Sequence, residues 1–173
     1  MKAENRREAI LSLLQSSAGP ISAAALAKKY GVSRQVVVGD VALLRAFGHE
    51  ISATPRGYVL ERDTGMIVRT LACSHRAEDM KRELDIMVDN GCVVKDVIVE
   101  HPIYGQLTGS LELKSRYDVS QFVLRSAESE ALPLSSLTDG IHLHTLLCPD
   151  DEAYLRVLDE LRAAGFLLPE EEA

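Results

Sequence analysis

Apolar positions in the first fifty residues recur at helical spacing, in three short blocks separated by turn residues. Ala9, Ile10, Leu13 and Leu14 share one face of a first helix, which Asn5 and Glu8, three residues apart, are expected to cap. Ser17, Gly19 and Pro20 end it. Ser22 caps a second helix with Ala23, Leu26, Ala27 and Tyr30 on one face. Gly31-Val32 is a short turn, and Ser33 caps a third helix. Val37, Val41, Leu44 and Phe47 form the buried stripe of that helix, and Gly48 stops it. Two helices joined by a turn containing Gly meet the requirement of a helix-turn-helix. Alternation then takes over. Ile51–Thr54, a Pro55-Arg56-Gly57 turn and Tyr58-Val59-Leu60 read as a β-hairpin. Three helices followed by a hairpin is the winged helix-turn-helix order.

The polar stretch Glu61-Arg62-Asp63-Thr64-Gly65 marks a boundary, dividing the chain into domains 1–62 and 63–173. Beyond it the pattern predicts a strand at Met66–Ala72, then a helix at His75–Asn90 with Met80, Leu84 and Met87 on its apolar face. Strands at Cys92–Glu100 and Gly105–Lys114, a helix at Asp118–Glu130, a strand at Ile141–Leu147 and a helix at Asp151–Ala164, capped by Asp150 or Asp151, complete the series. The order β-α-β-β-α-β-α predicts an α+β protein whose second domain is a two-layer α/β unit, with helices on one face of a mostly antiparallel sheet. The terminal Glu170-Glu171-Glu172 reads as a solvated end.

Charge sharpens this division. Residues 1–62 carry nine Lys/Arg against five Asp/Glu, a net of +4, and residues 63–173 carry ten against twenty-one, a net of −11. A modestly basic module on an acidic body suits contact with a polyanion through the first third. The third helix shows the chemistry. Its first turn, Ser33, Arg34 and Gln35, is polar and off the apolar stripe, where recognition-helix residues reach base edges in the major groove. Arg reads guanine and Gln reads adenine through paired hydrogen bonds. Val38 is the next residue on that side, and Arg45 and Arg56 are placed for phosphate or minor-groove contact. Gly39 in mid-helix costs about 1 kcal/mol against Ala.

No run of about 18 apolar residues is present, so no membrane span is expected. The charged N-terminus is not of the signal-peptide type. Cys73, Cys92 and Cys148 form no CxxC pair, and an odd number of separated thiols points to reduced, buried cysteines in a cytoplasmic protein.

Four of the five histidines, His75, His101, His142 and His144, fall in the second domain. His142 and His144 are two apart in a strand, so their rings share a face, about 7 Å apart at the backbone. His75 is expected to begin a helix on which Glu83 lies two turns along. If that helix covers the face bearing His142 and His144, a His/Glu/His/His cluster forms, suited to zinc, nickel or ferrous iron. Spacing alone leaves this open: a His-x-His in a strand also arises without a metal, and a helical Glu is ordinarily solvated.

The chain resembles the niacin-responsive transcriptional repressors, which join a winged helix-turn-helix to a three-histidine (3H) domain. The resemblance rests on Ser33–Ala46, the residues around His75, His101-Pro102-Ile103-Tyr104-Gly105, and Leu137-Thr138-Asp139-Gly140-Ile141-His142-Leu143-His144. It implies a homodimer that binds double-stranded operator DNA and represses genes of NAD biosynthesis or niacin uptake, with nicotinic acid as co-repressor. It also implies a second domain similar in fold to the phosphocarrier HPr, holding a divalent metal (nickel, zinc or iron) on His75, Glu83, His142 and His144. His101 and Tyr104 are then assigned to the effector pocket, and Arg76 is a partner for the effector's carboxylate. Gly39 departs from the larger polar residue expected there, which bears on the operator sequence. Alternatives are a repressor for which the metal is itself the signal, a metal-dependent enzyme, for which no nucleophile or further general base is evident, and a winged helix that binds protein rather than DNA.

Overall fold

A computed structural model of the chain describes residues 2–61, 65–129 and 131–169. Residues 62–64 of the expected boundary, Glu130 and the acidic end lie outside the described residues. The chain forms two compact units, Met1–Asp63 and Thr64–Ala173.

The first unit contains α1 (Ala3–Ser16), α2 (Ala23–Tyr30), α3 (Arg34–Ala46), β1 (Ile51–Thr54) and β2 (Gly57–Leu60). Ser22 and Ser33 cap α2 and α3 by accepting the backbone N–H groups of Ala25 and Val36. The start of α1 differs from expectation. It begins at Ala3, and Lys2 at its N-cap makes no side-chain cap bond. Ala3 and Glu4 are helix formers, and Glu4 is favourable at the positive end of the helix, so the helix runs past the Asn5 signal. Ile10, Leu14, Leu26, Val37, Val41, Leu44 and Ile51 form the core. Phe47, expected in the stripe of α3, is instead 67 % exposed, because α3 ends at Ala46 and the chain turns away at Phe47. β1 and β2 pair antiparallel, and Ile21 adds a bridge to Tyr58.

That bridge brings two backbones together at Gly57, which has φ +138°. A Cβ there would lie 2.4 Å from the carbonyl carbon and oxygen of Ile21. Backbone cannot move aside as a flexible side chain can. Gly57→Ala is therefore expected to destabilise the first unit by at least about 2 kcal/mol, read as a lower Tm for loss of its helical signal.

The second unit contains β3 (Ile67–Ser74), α4 (Met80–Asp89), β4 (Val93–His101), β5 (Gly105–Leu113), α5 (Arg116–Glu128), β6 (Ile141–Cys148) and α6 (Asp151–Ala164). This is the β-α-β-β-α-β-α order expected. All its strand pairings are antiparallel, in the order β3-β6-β4-β5. Leu71, Cys73, Val94, Leu111, Leu146 and Cys148 on the sheet pack with Leu84, Met87, Val119, Val157 and Leu161 on the helices in one core. Asp150, not Asp151, caps α6. The helix expected from His75 is corrected. β3 continues to Ser74, a 3-10 turn occupies Ala77–Asp79, and α4 starts only at Met80. His75 thus lies in the connection, and Glu83 falls in the first turn of α4. Among the described residues, no helix is long and apolar enough to cross a membrane.

Candidate metal centre and nucleic-acid interface

In the second unit, three histidines and one glutamate from three segments meet in a buried chamber. The β3–β6 register sets Cys73 opposite His142 and Leu71 opposite His144, so both imidazoles stand on the helix-covered face. Their side chains are 2 % and 3 % exposed. α4 lowers Glu83 onto them, with 1 % of its side chain exposed. The His75 ring completes the group, also 3 % exposed.

The hydrogen bonds define how each ring faces. His75 Nδ1 lies 2.7 Å from the carbonyl of Arg76, His142 Nδ1 2.8 Å from that of Gly140, and His144 Nδ1 2.6 Å from that of Asp96. A carbonyl only accepts, so each Nδ1 carries the hydrogen and donates it. Every Nε2 then turns inward. His75 Nε2 is 2.7 Å from Glu83 Oε2, and His142 and His144 Nε2 are 2.9 and 3.4 Å from Glu83 Oε1. His75 Nε2 and His144 Nε2 are buried without a hydrogen-bond partner. In neutral rings these nitrogens present lone pairs to a carboxylate that has only lone pairs. Protons or a cation must relieve that opposition, because burying unpaired polar groups is costly.

The ionisation behaviour has the same origin. Burial alone would lower His75 and His144, but contact with Glu83 outweighs it and raises both above their ordinary 6.5. Burial would raise Glu83, yet the surrounding histidines hold it well below the usual carboxylate range. Burial and the neighbouring Glu83 charge push the Cys73 thiol up. The arrangement is a set of imidazole and carboxylate donors, each ring oriented by its own carbonyl, which is the support that metal-binding histidines require.

Two supports escaped the sequence reading. Gly140 (φ +93°) packs on the His75 carbonyl so closely that a Cβ would lie 2.3 Å from its oxygen. Asp96 orients His144 through its carbonyl and accepts the Thr145 N–H on its side chain.

Beside His75 opens a cleft of about 410 Å³, lined by Ser74, His75, Arg76, Ser135, Ser136 and Asp139 among others. Arg76 is thus at the chamber's edge, its side chain 85 % exposed. His101 and Tyr104 are not in this lining. His101 Nδ1 instead accepts the N–H groups of Ile103 and Tyr104, closing the β4–β5 turn, and its ring stacks on Tyr104 at 5.0 Å.

In the first unit, Arg34, Gln35 and Val38 are exposed on α3, and so are Gly39 and Ala42. At Gly39 a Cβ would meet nothing within 4 Å, so no packing accounts for the glycine. The Ser33 hydroxyl is engaged in capping. Arg45 donates through Nε to the Ile51 carbonyl at 2.6 Å, with its guanidinium 5.9 Å from the Tyr58 ring centre, tying α3 to the hairpin. Arg56 lies in the β1–β2 turn, half-buried.

On the opposite side of α3, Asp40 is buried and was not anticipated as a structural group. Arg6 grips it through Nε at 2.6 Å and Nη2 at 3.2 Å, and Arg7 lies 3.7 Å away. The signal was legible: an Asp three residues after Val37 and four before Leu44 stands beside the apolar stripe.

A helix-turn-helix with an exposed helix face, on one chain with a buried three-histidine chamber in a separate domain, is the arrangement of a DNA-binding regulator. Residues 6–59 match an HTH domain and residues 68–170 the 3H domain. The chain is 42 % identical over 167 residues to the probable transcription repressor NiaR of Thermotoga maritima, covering 96 % of this chain and 95 % of that one. It is 42 % identical over 168 residues to the transcription repressor NadR of Bacillus subtilis, covering 95 % and 93 %. The chain belongs to the niacin-responsive repressor family. It is a DNA-binding transcription repressor, a regulator rather than an enzyme.

Proposed function

We propose that the 3H unit holds a divalent transition metal on His75, Glu83, His142 and His144, and that nicotinic acid acts there as co-repressor. A homodimer then binds operator DNA that controls NAD biosynthesis or niacin uptake. The observation that carries the reading is the inward convergence of three Nε2 atoms on one carboxylate, two of them without a hydrogen-bond partner. A cation satisfies every donor at once, and it supplies Lewis acidity toward a ligand with a lone pair. The neighbouring cleft is lined by Ser74, Ser135, Ser136, Arg76 and Asp139; Arg76, now paired with Glu78 at 3.8 Å and 85 % exposed, would turn to meet the carboxylate of a small aromatic acid. A dimer presents two recognition helices roughly 34 Å apart, one turn of DNA. The effector acts by favouring the arrangement with that spacing, and only as far as it prefers it over the others.

The test is binding to the chain's own upstream DNA, by fluorescence anisotropy at fixed salt and fixed metal. Tighter binding with nicotinic acid but not nicotinamide is expected. Tight binding indifferent to nicotinic acid would discard the effector and make the metal itself the signal. On the reading helix, Arg34→Ala and Gln35→Ala are each expected to cost about 1–3 kcal/mol of discrimination between operator and unrelated DNA. Both residues are exposed, so Tm should not move.

A further inference from the structure

We propose that Cys73 is a fifth donor to this chamber, giving the metal a thiolate ligand beside the three imidazoles and the carboxylate. The inference rests on the metal reading above and goes beyond its ligand set.

Cys73 lies directly opposite His142 in the β3–β6 pairing. Directly opposed residues of an antiparallel pair point to the same face, with Cβ atoms about 4.5–5.5 Å apart. The thiol therefore shares the covered face with His142, and Cys73 is fully buried. Its sulfur, a Glu83 oxygen and a His142 ring nitrogen all lie within 4.8 Å of one another. The chamber holds two further donors aimed into it, since the His75 and His144 Nε2 atoms are buried against Glu83 and without a hydrogen-bond partner. The other two cysteines are elsewhere. Cys92 and Cys148 contact each other at 3.3 Å, and Cys148 is six residues beyond His142 on an extended strand, about 20 Å away. As the sulfur–metal bond forms, the thiol proton leaves to solvent, one for each ion bound. A thiolate shifts the preference of the site from magnesium or manganese toward zinc, nickel and cobalt.

Cobalt(II) titration of the full-length, reduced protein tests this. Wild type is expected to show visible d–d bands together with an intense near-ultraviolet sulfur-to-cobalt charge-transfer band. Cys73→Ser and Cys73→Val should lose the charge-transfer band and keep d–d bands, whereas a Cys92→Ser, Cys148→Ser double variant should keep both. Two substitutions at Cys73, one polar and one apolar, guard against a single variant that does not fold, and circular dichroism reports folding for each. Wild-type d–d bands without charge transfer, or charge transfer that survives in folded Cys73 variants, would overturn the thiolate and leave the four-ligand site standing. Absence of any cobalt spectrum in wild type would overturn both.

Discussion

Glu83→Gln is expected to lower metal affinity by more than about 100-fold, since groups that only orient ligands are already worth 10–100-fold. Glutamine keeps the volume and one acceptor but removes the charge on which three imidazoles converge. The effect on the metal-free fold depends on pH, and its sign follows from the shifts. Glu83 titrates below its ordinary 4.5 in the folded chain, so its contribution is present above that value and is lost as pH falls toward the depressed one. His75 and His144 titrate above 6.5, so theirs is present below 6.5 and is lost as pH rises through the elevated values. Metal-free wild type should therefore be most stable between about pH 4.5 and 6.5. Near pH 5.5, where protonated histidines face the carboxylate, the variant should be about 3 kcal/mol less stable, and the gap should narrow as pH rises through the elevated histidine values. Metal reverses the upper limb, because it binds neutral imidazole. The rise in Tm on adding zinc should be larger at pH 8 than at pH 6. Calorimetry of both proteins with and without zinc measures all of this. A zinc-dependent Tm rise in Glu83→Gln equal to that of wild type would remove Glu83 from the ligands.

Gly140→Ala carries the second large effect. The added methyl would meet the His75 carbonyl oxygen at 2.3 Å, on a residue whose φ of +93° already disfavours a side chain. Gly140 also accepts the His142 Nδ1–H, so one substitution disturbs two of the three imidazoles from different segments. A cost of at least about 2 kcal/mol is expected, lowering Tm by on the order of 10 °C. Metal affinity should fall although no donor is removed. Ser136→Ala, in the adjoining cleft, serves as a control that leaves Tm unchanged. A folded Gly140→Ala protein with undiminished affinity would mean that the His75 connection is free to yield.

Much of the architecture was legible because its signals are local. Serine caps, periodic apolar stripes and alternation place α2, α3, the hairpin and β6 from nearby residues alone. The start of α4 was not, because His75 is held in an irregular connection by a contact with Gly140, sixty-five residues away in sequence. His142 and His144 could be paired from strand geometry, whereas spacing added Glu83 only on the condition that its helix covers that face, and its assignment as a ligand came through the family resemblance. Its own signal was a carboxylate on the apolar face of α4, three residues after Met80 and four before Met87. Asp40 in α3 gave the same kind of signal. Phe47 misled in the opposite direction, since the periodicity that buries Leu44 continues past the point where the helix ends.

The Asp40 clasp separates aim from vocabulary. Arg6 and Arg7 fix the roll of α3 about its own axis from its buried side. Arg34, Gln35, Val38 and Ala42 project from another side and are exposed. If these residues read the bases as proposed, substitutions there change the sequence preferred while the helix stays keyed at the same angle. A lineage can thus drift to a new operator one letter at a time, without ever passing through a protein that no longer folds.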